Sequence, residues 1–345
     1  MVALQAQEPA SPYLALWNRV ANFDPADLDR AFRDDEVIKA TLMRITLHAV
    51  TAVDYPALHD AMQPTLRAAR LNDRRFRRTG LTPADADALV SEALDFAAEP
   101  RSNADGEAWI RRRFGDLPEP GLWWAMRHYA PIVHAPTGGS WSFGTRPAYR
   151  AAPSKRSFGD PAAAAPTLVR RYLEGFGPAS TADIAQFALL QRSVIRAAVE
   201  AMSGELVELV GPDATILYDV PGGPFPDEDT PAPPRLLGMW DSVLLAYADR
   251  TRTSPPDYRK TFARNNGDVL PTLLVDGYVA GVWRPVDGGI EATAFRRLSD
   301  DDWAGLDDEA RGLLRFLADR ERRIYSRYNR WWSDLPAAEV RILGG

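Results

Sequence analysis

The chain has 345 residues, is 46% hydrophobic and carries a formal charge of −6 at neutral pH, which is enough apolar material for two or more cored domains. It has no cysteine, so disulfides, thiolate nucleophiles and zinc–sulfur sites are excluded together. No apolar run reaches bilayer-spanning length and the N-terminus lacks the basic-then-apolar layout of a signal peptide; a soluble, cytoplasmic protein with no membrane partner is expected.

His48, His59, His128 and His134 supply the only imidazoles and form no His-x-x-x-His or Glu-x-x-His pair, so no metal and no cofactor are expected. Walker-type phosphate loops and Gly-x-Ser-x-Gly elbows are absent from the sequence too. The acidic net charge argues against nucleic acid, but the positive charge is almost all arginine, Lys39, Lys155 and Lys260 being the only lysines. It is clustered at Arg67, Arg70, Arg74, Arg75, Arg77 and Arg78, at Arg146, Arg150, Lys155 and Arg156, and at Arg250, Arg252, Arg259, Lys260 and Arg264. Arginine suits bidentate phosphate and base contacts; GC-rich coding is the alternative source of the bias.

In chain order, the first candidate motif is Leu4-Gln5-Ala6-Gln7-Glu8-Pro9. Two neutral amides one residue apart, ahead of a proline that discourages helix at Glu8, project to the same side of the backbone and can grip one small polar object. The alternative is two solvated glutamines. Tyr13 to Trp17 predicts a short helix, and Asp24-Pro25 caps a second whose Leu28, Ala31 and Phe32 face inward. Lys39 to Val53 predicts an extended segment on which Arg44, Thr46 and His48 share a face.

A second unit begins at Leu81-Thr82-Pro83, with a capped helix presenting Leu89, Ala93, Leu94 and Ala97. Helices over 105–114 and 122–129 follow, then two short strands about Gly138-Gly139 that carry Trp141 and Phe143. The third unit has helices over 166–176, from Ser180-Thr181-Ala182-Asp183, and over 192–202, then strands at 206–210 and 215–218, the pattern of a winged helix-turn-helix. Residues 221–234 read as a linker. Beyond it, strands at 270–275, 278–283 and 290–295 form a meander with an Asp276-Gly277 corner, and a helix over 307–323 turns Ala310, Leu313, Leu314 and Leu317 toward it.

The predicted fold is therefore α+β and helix-rich, with three tandem winged-helix units followed by a small β-rich domain. The boundaries are 1–60, 61–160, 161–222 and 235–345.

Four separated segments in this order resemble the winged-helix DNA glycosylase family that includes AlkZ and YcaQ. They are Leu4 to Pro9 with Tyr13 to Trp17, Thr41 to His48, Phe176-Gly177-Pro178-Ala179-Ser180, and Asn266 to Thr272 with Val275-Asp276-Gly277. The resemblance covers nearly the whole chain and identifies Gln5-Ala6-Gln7 with the family's catalytic Gln-hydrophobic-Gln motif. Two departures stand out. Only Met1 to Leu4 precede that motif where members carry some tens of residues, so the expectation is either a misassigned start or a first unit that is N-terminally short and lacks its leading helix. Tyr247 stands where a histidine is expected before Ala248-Asp249-Arg250.

The resemblance implies a DNA glycosylase acting on N7-alkylguanine, bulky adducts and interstrand crosslinks, as a monomer on alkylated duplex DNA at the nucleoid. Gln5 and Gln7 would position water against an oxocarbenium-like sugar, since an alkylated purine leaves without much acid assistance. A carboxylate base such as Asp241 or Asp249 would instead give a steep pH limb. Candidate DNA contacts are Arg44, Thr46, His48, Trp141, Tyr247, Asp249 and Arg250. The bland alternatives are a satisfied histidine on a half-buried strand, core packing for Trp141, and a solvated Arg250. Rival functions are a winged-helix transcription regulator and a protein that binds alkylated DNA without catalysis.

Overall fold

The computed structural model describes residues 2–153, 157–333 and 335–345. Lys155 and Arg156, counted above among the clustered cations, lie outside the described residues. The chain divides into two compact units, one made of Met1–Gln7 and Asp24–Gly223, the other of Glu8–Phe23 and Pro224–Gly345.

The chain opens on a short strand, β1 (Leu4–Gln5), then gives one helix, α1 (Ser11–Trp17), to the second unit. Back in the first unit, α2 (Pro25–Arg33) starts as predicted: the Asp24 carboxylate accepts from the Ala26 N–H at 2.8 Å and Pro25 fills the first turn. Its Leu28 and Phe32 are buried.

Strands β2 (Val37–Thr41) and β3 (Leu47–Thr51) follow as an antiparallel hairpin. The single extended segment expected over 39–53 is thus folded in half. Its corner, Met43-Arg44-Ile45, contains no glycine, asparagine or proline, the residues that normally announce such a turn. Arg44 and Ile45 nevertheless take φ of +53° and +60°.

Helices α3 (Tyr55–Leu71) and α4 (Arg74–Arg77) come next. Then α5 (Pro83–Ala88) and α6 (Val90–Phe96) divide at Leu89 what apolar periodicity predicts as one helix, although Leu89, Ala93, Leu94 and Ala97 are all buried. Strand β4 (Arg101–Ser102) and helices α7 (Asn103–Phe114) and α8 (Leu122–Tyr129) lead to β5 (Ile132–Ala135). The partner of β5 is β6 (Ala148–Ala151) rather than the residues just past Gly139. The intervening loop folds on itself, the Thr137 and Gly138 N–H groups both donating to the Ser142 carbonyl.

These strands form one six-stranded sheet in the order β1-β3-β2-β5-β6-β4. Three helices, α9 (Pro161–Phe176), α10 (Thr181–Ala188) and α11 (Arg192–Ala201), and the hairpin β7 (Val207–Val210) with β8 (Ile216–Asp219) complete the unit. The start of α10 is a reciprocal capping box between Ser180 and Asp183. Helix α3 packs along α9 and α8, and α9 against α11. Tyr55, Leu58, Met62, Leu66, Leu168 and Tyr172 are buried without exposure, each apolar side chain contributing about 1.5–3 kcal/mol by leaving water.

In the second unit no strand or helix is assigned over residues 224–234. Strand β9 (Arg235–Leu237), helix α12 (Arg259–Phe262), strands β10 (Thr272–Val275), β11 (Tyr278–Val286) and β12 (Gly289–Ala294), helix α13 (Asp300–Ala318) and strand β13 (Glu339–Leu343) follow. The sheet order is β13-β12-β11-β10-β9, the predicted meander with an unpredicted strand at either edge. Asp276 and Gly277 turn its corner at φ of +50° and +74°, the expected primed geometry. Helix α13 begins before Asp307 because Ser299 and Asp302 form another capping box, and it buries Trp303, Leu306, Ala310, Leu313 and Leu317. Among the described residues no helix is long and apolar enough to cross a membrane.

Candidate active site

Strand β1 lies antiparallel to β3 with Gln5 directly opposite His48, so the two side chains stand on one face of the sheet. The next N–H, from Ala6, donates to the Leu47 carbonyl at 2.8 Å and carries the pairing one residue further. Ala6 is fully buried, Gln5 is 4% exposed and Gln7 is exposed. The motif is therefore anchored at its first glutamine and open at its second.

The Gln7 N–H donates to the Gln5 side chain at 2.7 Å. A backbone N–H can only donate, so the Gln5 atom facing it is the carbonyl oxygen and its amine points the other way. The Leu47 N–H approaches the Gln7 side-chain oxygen at a long 3.5 Å. Neither glutamine amine has a hydrogen-bond partner among the described residues. Two amide donors and the remaining oxygen lone pairs are thus available to a ligand.

His48 is fully buried. Its Nδ1 lies 3.0 Å from the Thr46 carbonyl and its Nε2 lies 3.2 Å from the Arg44 guanidinium. Burial first, and the Arg44 charge second, lower its pKa to about 3, so it is a neutral ring in contact with Arg44. The same guanidinium donates to the Phe187 carbonyl at 2.9 Å and lies 4.8 Å over the Phe187 ring, in α10. Helix α10 packs on the Met43–Ile45 turn. Arg44 thus reaches His48 across a turn rather than along a strand face.

Thr46 closes that turn, its hydroxyl donating to the Met43 carbonyl at 3.2 Å and its own carbonyl accepting from the Leu42 N–H at 3.0 Å. Nothing in the sequence announces Phe187, which lies 143 residues from Arg44 along the chain. Trp141 takes the packing alternative: it is 4% exposed, and a buried indole has no face to wedge into a groove.

The remaining candidates lie in the second unit. The Asp249 carboxylate accepts from the Thr251 N–H at 3.0 Å and its hydroxyl at 2.8 Å, bonds that lower its pKa. It caps the turn that carries Arg250. Arg250 is half-buried, its Nε has no acceptor among the described residues, and burial with the neighbouring Arg259 charge lowers its pKa. Tyr247 is half-buried with the Arg252 guanidinium 4.6 Å over its ring. Asp241 is held by Arg19 at 2.6 and 2.9 Å and is 4% exposed, a geometry of anchorage.

A family model described as DNA glycosylase AlkZ-like matches residues 1–316. The chain belongs to the AlkZ-like DNA glycosylase family. It is thus an enzyme that hydrolyses N-glycosyl bonds in DNA. It is 26% identical over 319 residues to an interstrand DNA cross-link repair glycosylase of Streptomyces sahachiroi, covering 86% of this chain and 83% of the relative. The solved structure of the Streptomyces sahachiroi DNA glycosylase AlkZ superposes with a TM-score of 0.77 at 22% identity, over 93% of this chain and 89% of that one. The likeness extends the shared fold through both units of this glycosylase.

Proposed function

We propose that this glycosylase hydrolyses the N-glycosidic bond of N7-alkylguanine and related cationic lesions in duplex DNA, interstrand crosslinks included, with Gln5 and Gln7 holding the attacking water. The carrying observation is the state of the two amides: their amines have no partner among the described residues and the group beside them, His48, is neutral and buried.

An N7-alkylated guanine is a cation, so when its bond to the sugar breaks it takes the electron pair and becomes neutral. The sugar is left oxocarbenium-like. Water adds to C1′, its second proton passes to solvent, and the products are free base and an abasic site. Gln amines bond the water or the sugar oxygens and the amide oxygens accept a hydrogen bond from the water, so orientation rather than proton abstraction supplies the rate. Arg44, fixed by His48 and Phe187, and Arg250, capped into place by Asp249, bind backbone phosphates, and Tyr247 packs against DNA.

The helix-plus-hairpin groups over 1–60, 61–160 and 161–222 are proposed as three winged helices, with residues 235–345 as the β-rich domain, and the protein as a monomer on DNA. The crosslink reading rests on the activity named for the Streptomyces sahachiroi relative.

Incubating the protein with a duplex bearing one N7-methylguanine and analysing the products tests the reading. Free N7-methylguanine with an alkali-labile, otherwise unbroken strand is expected. Tight binding to the lesion without base release, or a dimer selective for one palindromic sequence, would replace the proposal with one of its rivals.

A further inference from the structure

Beside the Arg44 turn lies a group of cations that the proposed reaction does not use. Arg70, in the last turn of α3, and Arg75, in α4, both lie over the indole of Trp124 in α8, their guanidinium carbons 5.0 and 5.1 Å from the ring centroid. One turn on, Arg127 donates to the Tyr149 hydroxyl at 2.8 Å and lies 4.4 Å over that ring. Arg70 approaches the Ile45 carbonyl at 3.4 Å, the residue after Arg44.

These three arginines have no direct ionic partner among the described residues, whereas two neighbours in the same sequence cluster do: Arg67 bridges Asp87, and Arg78 bridges Glu119 at 3.2 Å. The Nε atoms of Arg70 and Arg127 are buried without an acceptor among the described residues. Burial lowers the pKa of both, and each also feels the charge of Arg75. Two carboxylates act on the group without forming an ion pair with it: Asp73, which caps α4 through the Arg75 N–H at 2.8 Å, favours the charged form of Arg70, and half-buried Glu107 favours that of Arg127. His128 adds no charge, its Nδ1 donating to the Trp124 carbonyl at 2.6 Å while burial and the three arginines lower its pKa to about 3.

Arg75 is exposed while Arg70 and Arg127 are half-buried, and like charges held together with two of them partly out of water cost stability unless a ligand completes them. Contact with the Trp124 and Tyr149 rings restrains the guanidinium groups in advance, which lowers the ordering cost of binding. The missing partner must be an anion able to accept several N–H bonds at once, which is the chemistry of phosphate.

We propose that Arg70, Arg75 and Arg127, seated on Trp124 and Tyr149, form a phosphate-binding site that grips the DNA backbone beside the Arg44 turn. The identification of the phosphate as a duplex phosphodiester rests on the glycosylase reading; the anion site itself does not.

The test is equilibrium binding of an undamaged duplex, followed by fluorescence anisotropy as potassium chloride is raised, for wild type, Arg75→Gln, Arg70→Gln/Arg75→Gln, and the exposed control Arg112→Gln. The double variant should bind several-fold more weakly, and its slope of log affinity against log salt should shrink by about one, because one fewer phosphate is neutralised. Its melting temperature should be unchanged or higher because like-charge repulsion is relieved, and the control should match wild type. An unchanged slope with affinity within about twofold of wild type overturns the proposal. Stabilisation by inorganic phosphate in wild type but not in the double variant, with the DNA slope unchanged, identifies a free-anion site and overturns the duplex assignment. Because undamaged DNA is used, a protein that released no base would still give a reduced slope if the site is right.

Discussion

The Arg44 guanidinium stands 3.2 Å from Nε2 of His48, and the other imidazole nitrogen determines what that contact is. Nδ1 faces the Thr46 carbonyl at 3.0 Å, a group that only accepts, so Nδ1 carries the hydrogen and Nε2 offers a lone pair to Arg44. Protonation would set N–H against N–H in a buried site. With the histidine pKa lowered to about 3 and two amides that do not titrate, base release should be flat from about pH 5 to pH 9. Single-turnover rates across that range check it; a limb centred near the ordinary histidine value would contradict the assignment.

The buried histidines also set the acid stability. His48 and His128 have values lowered to about 3, and His134 is held well below its ordinary value, burial leading in each case. Such a group takes up its proton first in the unfolded chain. Above the ordinary value near 6.5 neither state is protonated and stability is unaffected. As the pH falls below it, the unfolded chain gains protons and stability drops by at most about 1.4 kcal/mol per pH unit per histidine, continuing toward the folded values. Urea midpoints should therefore decline steadily from neutral pH downward, and His128→Gln should make that decline shallower.

The two glutamines should separate stability from activity. Gln5→Ala removes the acceptor of the Gln7 N–H and should cost about 1 kcal/mol as well as rate. Gln7→Ala removes an exposed side chain with one long hydrogen bond, so its melting temperature should match wild type. Calorimetry on both variants checks this; equal destabilisation would mean that Gln7 is structural.

Ile45 sits at φ +60°, a conformation that costs a β-branched residue on the order of 1–3 kcal/mol. Ile45→Gly relieves that strain while losing a half-buried side chain, so stability should stay within about 1 kcal/mol of wild type. Base release should fall because the turn no longer fixes Arg44. A variant with full activity would show that the turn geometry has no part in the reaction.

The sequence speaks plainly wherever structure is locally determined. Asp24-Pro25 and Ser180 with Asp183 name their helix starts because capping is settled within four residues. Asp276-Gly277 names its corner because few residues accept that backbone. The Met43–Ile45 corner stays hidden for the converse reason: its residues are wrong for it locally, and it is held by Phe187 and His48 from outside. Strand β6 leaves no local sign because its partner lies across a long loop, and β9 and β13 because short edge strands carry little pattern. For the proposed site, the sequence puts forward Gln5, Gln7, Arg44 and His48 as candidates, but it carries no sign of the tautomer, of the Phe187 contact or of Arg70 and Arg75 meeting over one tryptophan. Those depend on which helices meet, and no local spacing encodes that.

The most direct test is the single-turnover rate of base release from a duplex containing one N7-methylguanine, for wild type against Gln7→Ala at saturating enzyme. The proposed mechanism predicts a loss of roughly a hundredfold with unchanged DNA affinity and melting temperature, as expected when a preorganised positioning group is removed. A folded Gln7→Ala protein that releases base at the wild-type rate would contradict it.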